Sequence, residues 1–206
     1  MLGYYNYTIW LTCLGMASAV TGITFSLEGE PTIAVACLMF AGFCDCVDGI
    51  VARTKKDRTA EEHHFGIQLD SLCDVVSFGV FPAVLCYSLG VRGMIGTGIL
   101  IFYCFCAVIR LAWFNMLEEC RGAEKDKKRY YHGLPVTFMS AILPLVYFLR
   151  LWTSGTVFVT ALGAMLLITG IFYIIDFPLP KTHPAVAGGL MLTDIIALLI
   201  CISAGI

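Results

Sequence analysis

Residues 33–74 read IAVACLMFAGFCDCVDGIVARTKKDRTAEEHHFGIQLDSLCD. Within or beside the apolar runs of this stretch lie four aspartates: Asp45, Asp48, Asp70 and Asp74. A helix needs about 20 predominantly apolar residues to cross a membrane. Ionisable residues inside such a helix are costly, so they usually face the bundle interior and mark a functional site. The stretch therefore predicts two consecutive membrane helices that carry a polar site between them.

The rest of the chain has the same apolar character. Of its 206 residues, 59% are hydrophobic and 14% are charged. The mean hydropathy of +0.85 is far above what a soluble core of this size needs. We therefore predict an all-α, polytopic transmembrane helix bundle, and nothing in the composition indicates a nucleic-acid-binding surface. The candidate spans are 7–27, 32–52, 66–90, 94–116, 134–152, 156–175 and 185–205.

Basic residues are concentrated in the two longest polar loops, 53–65 and 117–133. Lysine and arginine accumulate in cytoplasmic loops. These loops and the N-terminus are therefore predicted to face the cytoplasm, which with seven spans leaves the C-terminus outside. The basic loops could attract anionic head groups only, or could also steer an anionic substrate.

The spacing of the aspartates predicts that all four meet. Asp45 and Asp48 are three residues apart near the end of the second span, so both project from one helix face. The other pair is four apart in the first turns of the third span. Four carboxylates at one depth cannot stay ionised together unless a cation lies among them. An all-oxygen cluster favours a hard ion, Mg²⁺ or Mn²⁺.

Small residues and an arginine lie at set distances from these aspartates. Gly49, Ala52 and Gly66 leave the backbone uncovered where a bulky group approaches. Arg53 follows one turn after Gly49 and can present a forked pair of donors to a phosphate. A metal, small residues and an arginine together indicate a nucleotide diphosphate. A carrier for ions or protons would need the carboxylates but not this spacing.

The pattern formed by these residues resembles the signature of the CDP-alcohol phosphotransferase family. It reads Asp45-x-x-Asp48-Gly49-x-x-Ala52-Arg53, then twelve residues, then Gly66-x-x-x-Asp70-x-x-x-Asp74. The commonest form of the signature has a shorter gap between the arginine and the second glycine. The resemblance predicts a single domain over 1–206. Family members usually have six core spans, so the seventh candidate, 185–205, is either an added helix or not a span.

The resemblance implies a role for each matching position. Asp45, Asp48 and Asp70 would bind divalent metal on the pyrophosphate of the CDP group, and Asp74 would add to the metal site and act as general base. The CDP pocket would be lined by Asp45, Gly49, Ala52, Arg53 and Gly66. An alcohol would attack, and CMP would leave. The resemblance also implies a homodimer.

Softer similarities concern the alcohol. The stretches Phe65–Ala83, Arg110–Asn115 and Gly133–Pro135 are most similar to the phosphatidylserine-forming members of the family from bacteria and archaea. The expected substrates are then CDP-diacylglycerol and L-serine, at an active site that faces the cytoplasm from the cell membrane. Arg110, a basic residue well inside a span rather than at its end, would bind the carboxylate of serine, with hydrogen bonds from Ser77 and Asn115.

Three alternatives remain open. The acceptor could be glycerol 3-phosphate or inositol phosphate, since either would also need a cation such as Arg110. Arg110 could instead form a structural ion pair with Asp194. The aspartates could also belong to an ion or proton carrier, which would spread them along a path across the bilayer. The ten cysteines lie mostly inside apolar runs without a Cys-x-x-Cys pair, which predicts free thiols.

Overall fold

The described part of the chain is a helix bundle with one short two-stranded pairing, and its long apolar helices make it an integral membrane protein. The computed structural model describes residues 3–4, 7–52, 59–121 and 131–179. Within these ranges, five helices are long and apolar enough to cross a membrane, and a shorter apolar helical stretch covers Val136–Leu151. The predicted helix bundle is thereby confirmed, while the predicted span 185–205 lies outside the described residues. The α-helices are α1 (Tyr7–Glu28), α2 (Pro31–Ala52), α3 (Ala60–Asp74), α4 (Phe81–Ser88), α5 (Gly93–Arg121), α6 (Met139–Phe148) and α7 (Gly155–Ile174).

The third span changes helix type along its length. Between α3 and α4 lies a π-helix, Val75–Val80, which the sequence analysis did not predict. Pro82 has no N–H to donate to the carbonyl of Phe78, four residues earlier. The hydroxyl of Tyr103, on α5, donates to that carbonyl instead. A proline and a buried tyrosine thus accompany the wider turn, and such π-helical turns are frequent at functional sites.

The loop predicted over 53–65 is shorter than expected, because α3 begins at Ala60. Its start is a capping box, in which the N–H of Glu62 donates to the Thr59 hydroxyl at 3.2 Å and the N–H of Thr59 donates to the Glu62 carboxylate at 3.3 Å. Such a pair satisfies two backbone donors at the first turn. The prediction of a loop to residue 65 was therefore wrong, and the second pair of aspartates lies in the C-terminal half of α3 rather than in its first turns.

The loop predicted over 117–133 is also shorter, since α5 continues to Arg121. After it, the two-residue strand β1 (Tyr131–His132) pairs antiparallel with β2 (Pro178–Leu179). Gly133 follows β1 with a φ of +78°, a conformation that glycine adopts without strain. This short pairing joins the chain before α6 to the chain after α7.

Close helix packing surrounds the region of the aspartates. A Cβ atom at Gly22 of α1 would lie 2.2 Å from the ring of Phe81, and one at Gly42 of α2 would lie 2.1 Å from Ser140 Oγ on α6. Small residues let membrane helices approach one another in this way. Larger apolar side chains on the outer faces are exposed, such as Trp10 (76%) and Met94 (93%), as expected for surfaces that meet lipid.

Candidate metal and nucleotide site

A cleft lies between α1, α2 and the third span. Hydroxyl and carboxylate side chains that line it are Thr12, Asp45, Asp48, Asp70, Asp74 and Ser77. All four aspartates singled out in the sequence therefore share one cleft. This arrangement differs from the path across the bilayer that a carrier would need.

Three of the aspartates form a tight group. One carboxylate oxygen from each of Asp45, Asp70 and Asp74 lies within 4.8 Å of the other two. The group forms because α2 and α3 run in opposite directions, so the aspartates near the end of α2 lie at the same depth in the bundle as those of α3. Three carboxylates this close repel one another in an apolar setting unless a cation lies among them. The donor set, oxygen only, fits a hard divalent cation such as Mg²⁺ or Mn²⁺.

Asp48 is hydrogen-bonded to a side chain of α1. Its carboxylate oxygen Oδ2 accepts a hydrogen bond of 2.9 Å from the hydroxyl of Thr12 on α1. Asp48 is buried, with 7% of its surface exposed. The Asp48 carboxylate is therefore held at the α1 wall of the cleft, one turn of α2 away from Asp45.

Asp45 receives support from the segment before α6. The side chain of Thr137 lies within hydrogen-bonding reach of the Asp45 carboxylate. Thr137 belongs to a 3₁₀ helix, Val136–Phe138. Buried Arg110 secures the chain just before it, donating from Nε to the Leu134 carbonyl at 3.1 Å and from Nη2 to the Gly133 carbonyl at 3.3 Å. These contacts connect α5 to the segment that carries Thr137.

A model of the CDP-alcohol phosphatidyltransferase family matches residues 5–179. The chain belongs to this family. Curated relatives include CDP-diacylglycerol--serine O-phosphatidyltransferases of Mycobacterium bovis, 30% identical over 84% of this chain and 60% of the relative, and of Saccharomyces cerevisiae, 34% identical over 66% of this chain and 50% of the relative. The archaetidylserine synthase of Methanothermobacter thermautotrophicus is 31% identical over 79% of this chain and 67% of its own length. The chain thus spans about 60% of the length of the mycobacterial relatives.

The other positions of the family signature are described only in part. Gly49 is exposed, and a Cβ atom there would meet nothing within 4 Å, so space is open above this backbone. Gly66 is half-buried in α3. Ala52 is the last residue of α2, and Arg53 lies outside the described residues. Their predicted contacts with CDP remain predictions.

The three residues predicted to bind the acceptor have different surroundings. Ser77, in the π-helix, is buried and lines the cleft. Asn115, on α5, accepts a 2.6 Å hydrogen bond from Ser71 and donates to Gln68 at 3.4 Å, so it joins α5 to α3. Arg110 bonds to the two backbone carbonyls described above, while its alternative partner Asp194 lies outside the described residues.

Sequence reasoning missed the two threonines of the site. Thr12 lies in an apolar run, and Thr137 follows the Gly133–Pro135 stretch. Hydroxyls in such positions commonly bond to their own helix, as Thr21 does to the Ala17 carbonyl. No local signal separates a threonine that bonds within its helix from one that reaches a carboxylate on another element.

The prediction of free thiols is confirmed for eight of the ten cysteines: Cys13, Cys37, Cys44, Cys46, Cys73, Cys86, Cys104 and Cys106. Two of them, Cys44 and Cys73, line the cleft. They act there as small wall residues beside a carboxylate cluster that uses oxygen donors.

Proposed function

We propose that this protein transfers the phosphatidyl group from CDP-diacylglycerol to L-serine, giving phosphatidylserine and CMP in a reaction that requires a divalent cation. The observation that carries the proposal is the group formed by Asp45, Asp70 and Asp74 in a membrane-embedded cleft, at positions that match the family signature. Serine is favoured as acceptor because the relatives reported above are named for serine or archaetidylserine products.

The reaction forms one bond and breaks one bond at phosphorus. The serine hydroxyl oxygen attacks the phosphorus that carries diacylglycerol, and the bond from that phosphorus to the bridging oxygen breaks, so the electron pair leaves with CMP. Asp74 accepts the proton of the serine hydroxyl as general base. Asp45, Asp48 and Asp70 would bind the divalent cation on the pyrophosphate, and Asp74 would add to this metal site. A bound divalent cation supplies neutralisation of the negative charge that develops on the phosphates.

The walls of the cleft fit these roles. The open space above Gly49 gives room for the nucleotide beside the carboxylates. Ser77, buried in the cleft wall next to Asp74, is placed to donate a hydrogen bond to the acceptor. Arg110 bonds to the Gly133 and Leu134 carbonyls, just before the segment with Thr137 that reaches Asp45. In this proposal Arg53 binds a phosphate and Asn115 contributes to the acceptor side.

The decisive test is CMP release by purified protein with CDP-diacylglycerol, Mg²⁺ or Mn²⁺, and one alcohol at a time. We expect CMP and phosphatidylserine with L-serine, and neither product after EDTA treatment. Asp74→Asn should abolish release, whereas Glu30→Gln, an exposed carboxylate at the other end of α2, should leave it unchanged. CMP release with glycerol 3-phosphate or inositol phosphate but not with serine would overturn the choice of acceptor.

The carrier hypothesis makes a separate prediction. If the aspartates served ion or proton movement, Asp48→Asn would abolish flux into liposomes, and no alcohol would release CMP in a metal-dependent way. The shared cleft of the four aspartates argues against this function.

We further propose that the active site faces the cytoplasm and that the protein forms a homodimer. The orientation follows from the basic residues in the loop between α2 and α3 and in the loop after α5. Labelling of single cysteines from either side of sealed vesicles tests the orientation. Light scattering of the detergent-solubilised protein tests the dimer.

A further inference from the structure

A side chain outside the family signature contacts one of its aspartates directly. Thr12, on α1, donates its hydroxyl to Oδ2 of Asp48 at 2.9 Å. Both residues line the cleft. The two residues are 36 positions apart in the chain, so the contact depends on how α1 packs against α2.

Beside Thr12, helix α1 packs closely against α2. A Cβ atom at Gly15, one turn after Thr12, would lie 3.2 Å from Cys44 Cβ, which shows how closely α1 and α2 approach beside the cleft. The backbone N–H of Gly49 also lies within hydrogen-bonding reach of Asp48. Thr12 is therefore the donor that reaches Asp48 from another helix and can determine how its carboxylate is turned.

A hydrogen bond to an ionised carboxylate is stronger than one between neutral groups. It also restricts how the carboxylate can rotate. With Oδ2 of Asp48 bound by Thr12, the orientation of this carboxylate at the cleft depends on α1. Groups that orient metal ligands in this way typically change metal affinity by about 10- to 100-fold when they are removed.

We propose that Thr12 is a positioning residue, which turns the carboxylate of Asp48 toward the divalent cation and the pyrophosphate of the nucleotide. This inference rests on the proposed function, because it assigns a supporting residue to the same site. It extends the site to α1, a helix that carries none of the signature residues.

The test compares three variants of the full-length protein in detergent. Thr12→Val removes the hydroxyl and keeps the shape of the side chain, whereas Thr12→Ser keeps the hydroxyl. Thr21→Val is the matched control, since Thr21 is exposed on the same helix and bonds to the Ala17 carbonyl. The first measurement is Mn²⁺ binding followed by electron paramagnetic resonance, which needs no acceptor alcohol. The second is kcat and KM for CMP release.

Thr12→Val is expected to weaken Mn²⁺ binding by about 10-fold and to lower kcat while KM for serine stays near the wild-type value. Thr12→Ser should bind Mn²⁺ within about twofold of wild type, because it keeps the donor. Wild-type Mn²⁺ affinity and kcat in Thr12→Val would overturn the proposal. Equal losses in Thr12→Val and Thr21→Val would also overturn it, because they would indicate a general effect of threonine removal from α1.

A double-mutant cycle covers the case in which Thr12→Val folds poorly. In an Asp48→Asn background, the further change Thr12→Ala should not alter Mn²⁺ binding, since the group that Thr12 positions is already lost. An additive further loss would refute the inference. If the wild-type protein binds Mn²⁺ but releases no CMP with any alcohol, the proposed function fails, while the Mn²⁺ results still decide the role of Thr12.

Discussion

Replacing Gly42 with alanine should loosen the packing of α2 against α6 and disturb the site at the same time. A Cβ atom at Gly42 would lie 2.1 Å from Ser140 Oγ and 2.5 Å from Ser140 Cβ. Non-bonded carbon atoms prefer separations of about 3.5–4.0 Å, so one of the two helices must shift by about 1 Å. Rotation of the Ser140 side chain does not relieve the overlap with its Cβ, and it would break the 2.7 Å bond from its hydroxyl to the Thr137 carbonyl.

The size of the effect follows from two opposing contributions. Overpacking a well-packed interior costs about 1–3 kcal/mol, whereas Gly→Ala within a helix returns roughly 0.5–1 kcal/mol. The difference of these ranges is a net loss of stability of about 0–2.5 kcal/mol, centred near 1 kcal/mol. By the scaling for chains of this length, in which 1 kcal/mol corresponds to about 2–4 °C, the Tm should fall by about 2–4 °C at that central value.

Thermal unfolding of the purified protein in detergent, followed by tryptophan fluorescence, measures this change. Gly98→Ala is the matched control, because Gly98 lies within α5 and a Cβ atom there would meet nothing within 4 Å. Its Tm should stay unchanged or rise. The second change Ser140→Gly, made together with Gly42→Ala, removes the overlapping atoms and should restore most of the loss.

The same substitution should lower CMP release. The start of α6 carries the segment with Thr137, which lies within reach of Asp45, so a displaced α6 withdraws this support. Gly98→Ala should release CMP at the wild-type rate. A Tm for Gly42→Ala equal to that of Gly98→Ala would show that the reasoning from close packing is wrong. A lower Tm with unchanged CMP release would refute the connection to the site.

Three further predictions concern the supports of the cleft and its cation. Tyr103→Phe removes the donor to the Phe78 carbonyl and should reduce stability by about 0.5–2 kcal/mol, as measured by Tm, because a buried carbonyl loses a partner. Arg110→Met removes both bonds to the 133–134 carbonyls, so limited proteolysis should cut this segment faster than in wild type. Because the same segment carries Thr137 toward Asp45, CMP release should fall by about 10-fold or more. Removal of divalent cations should abolish CMP release, and Mg²⁺ or Mn²⁺ should restore it where a soft ion such as Cd²⁺ does not, because the clustered ligands are carboxylate oxygens.

The membrane bundle could be predicted because its signal is repeated along the chain. Each long apolar run has the length of a membrane crossing, and the described helices agree with the first six predicted spans apart from their ends. The predicted helix ends were wrong where the polar residues beside an apolar run themselves form part of the helix. Thr59 and Glu62 form a capping box that starts α3 inside the predicted loop. Hydropathy does not detect such a start, because the first turn of α3 is polar.

The π-helix was missed for a different reason. Its local sequence, Val75–Val80, is apolar and gives no sign of a wider turn. Pro82 is the one local hint, since it removes the N–H that would bond to the Phe78 carbonyl. The compensating donor, Tyr103, comes from another span and is 25 residues away. A single sequence does not reveal which distant hydroxyl satisfies a given carbonyl.

The carboxylate cluster combines local and distant information. Spacing within α2 and α3 and the opposite directions of the two spans are enough to bring Asp45, Asp70 and Asp74 together. Their surroundings come from elements that the signature does not include, since Thr12 lies on α1 and Thr137 lies before α6. Carboxylates in an apolar bundle need hydrogen-bond donors as well as a cation, because a cation shared by three of them leaves further carboxylate lone pairs to be satisfied. The two threonines provide such donors to the α2 pair, and this is why the helices that flank the signature determine how its aspartates are presented.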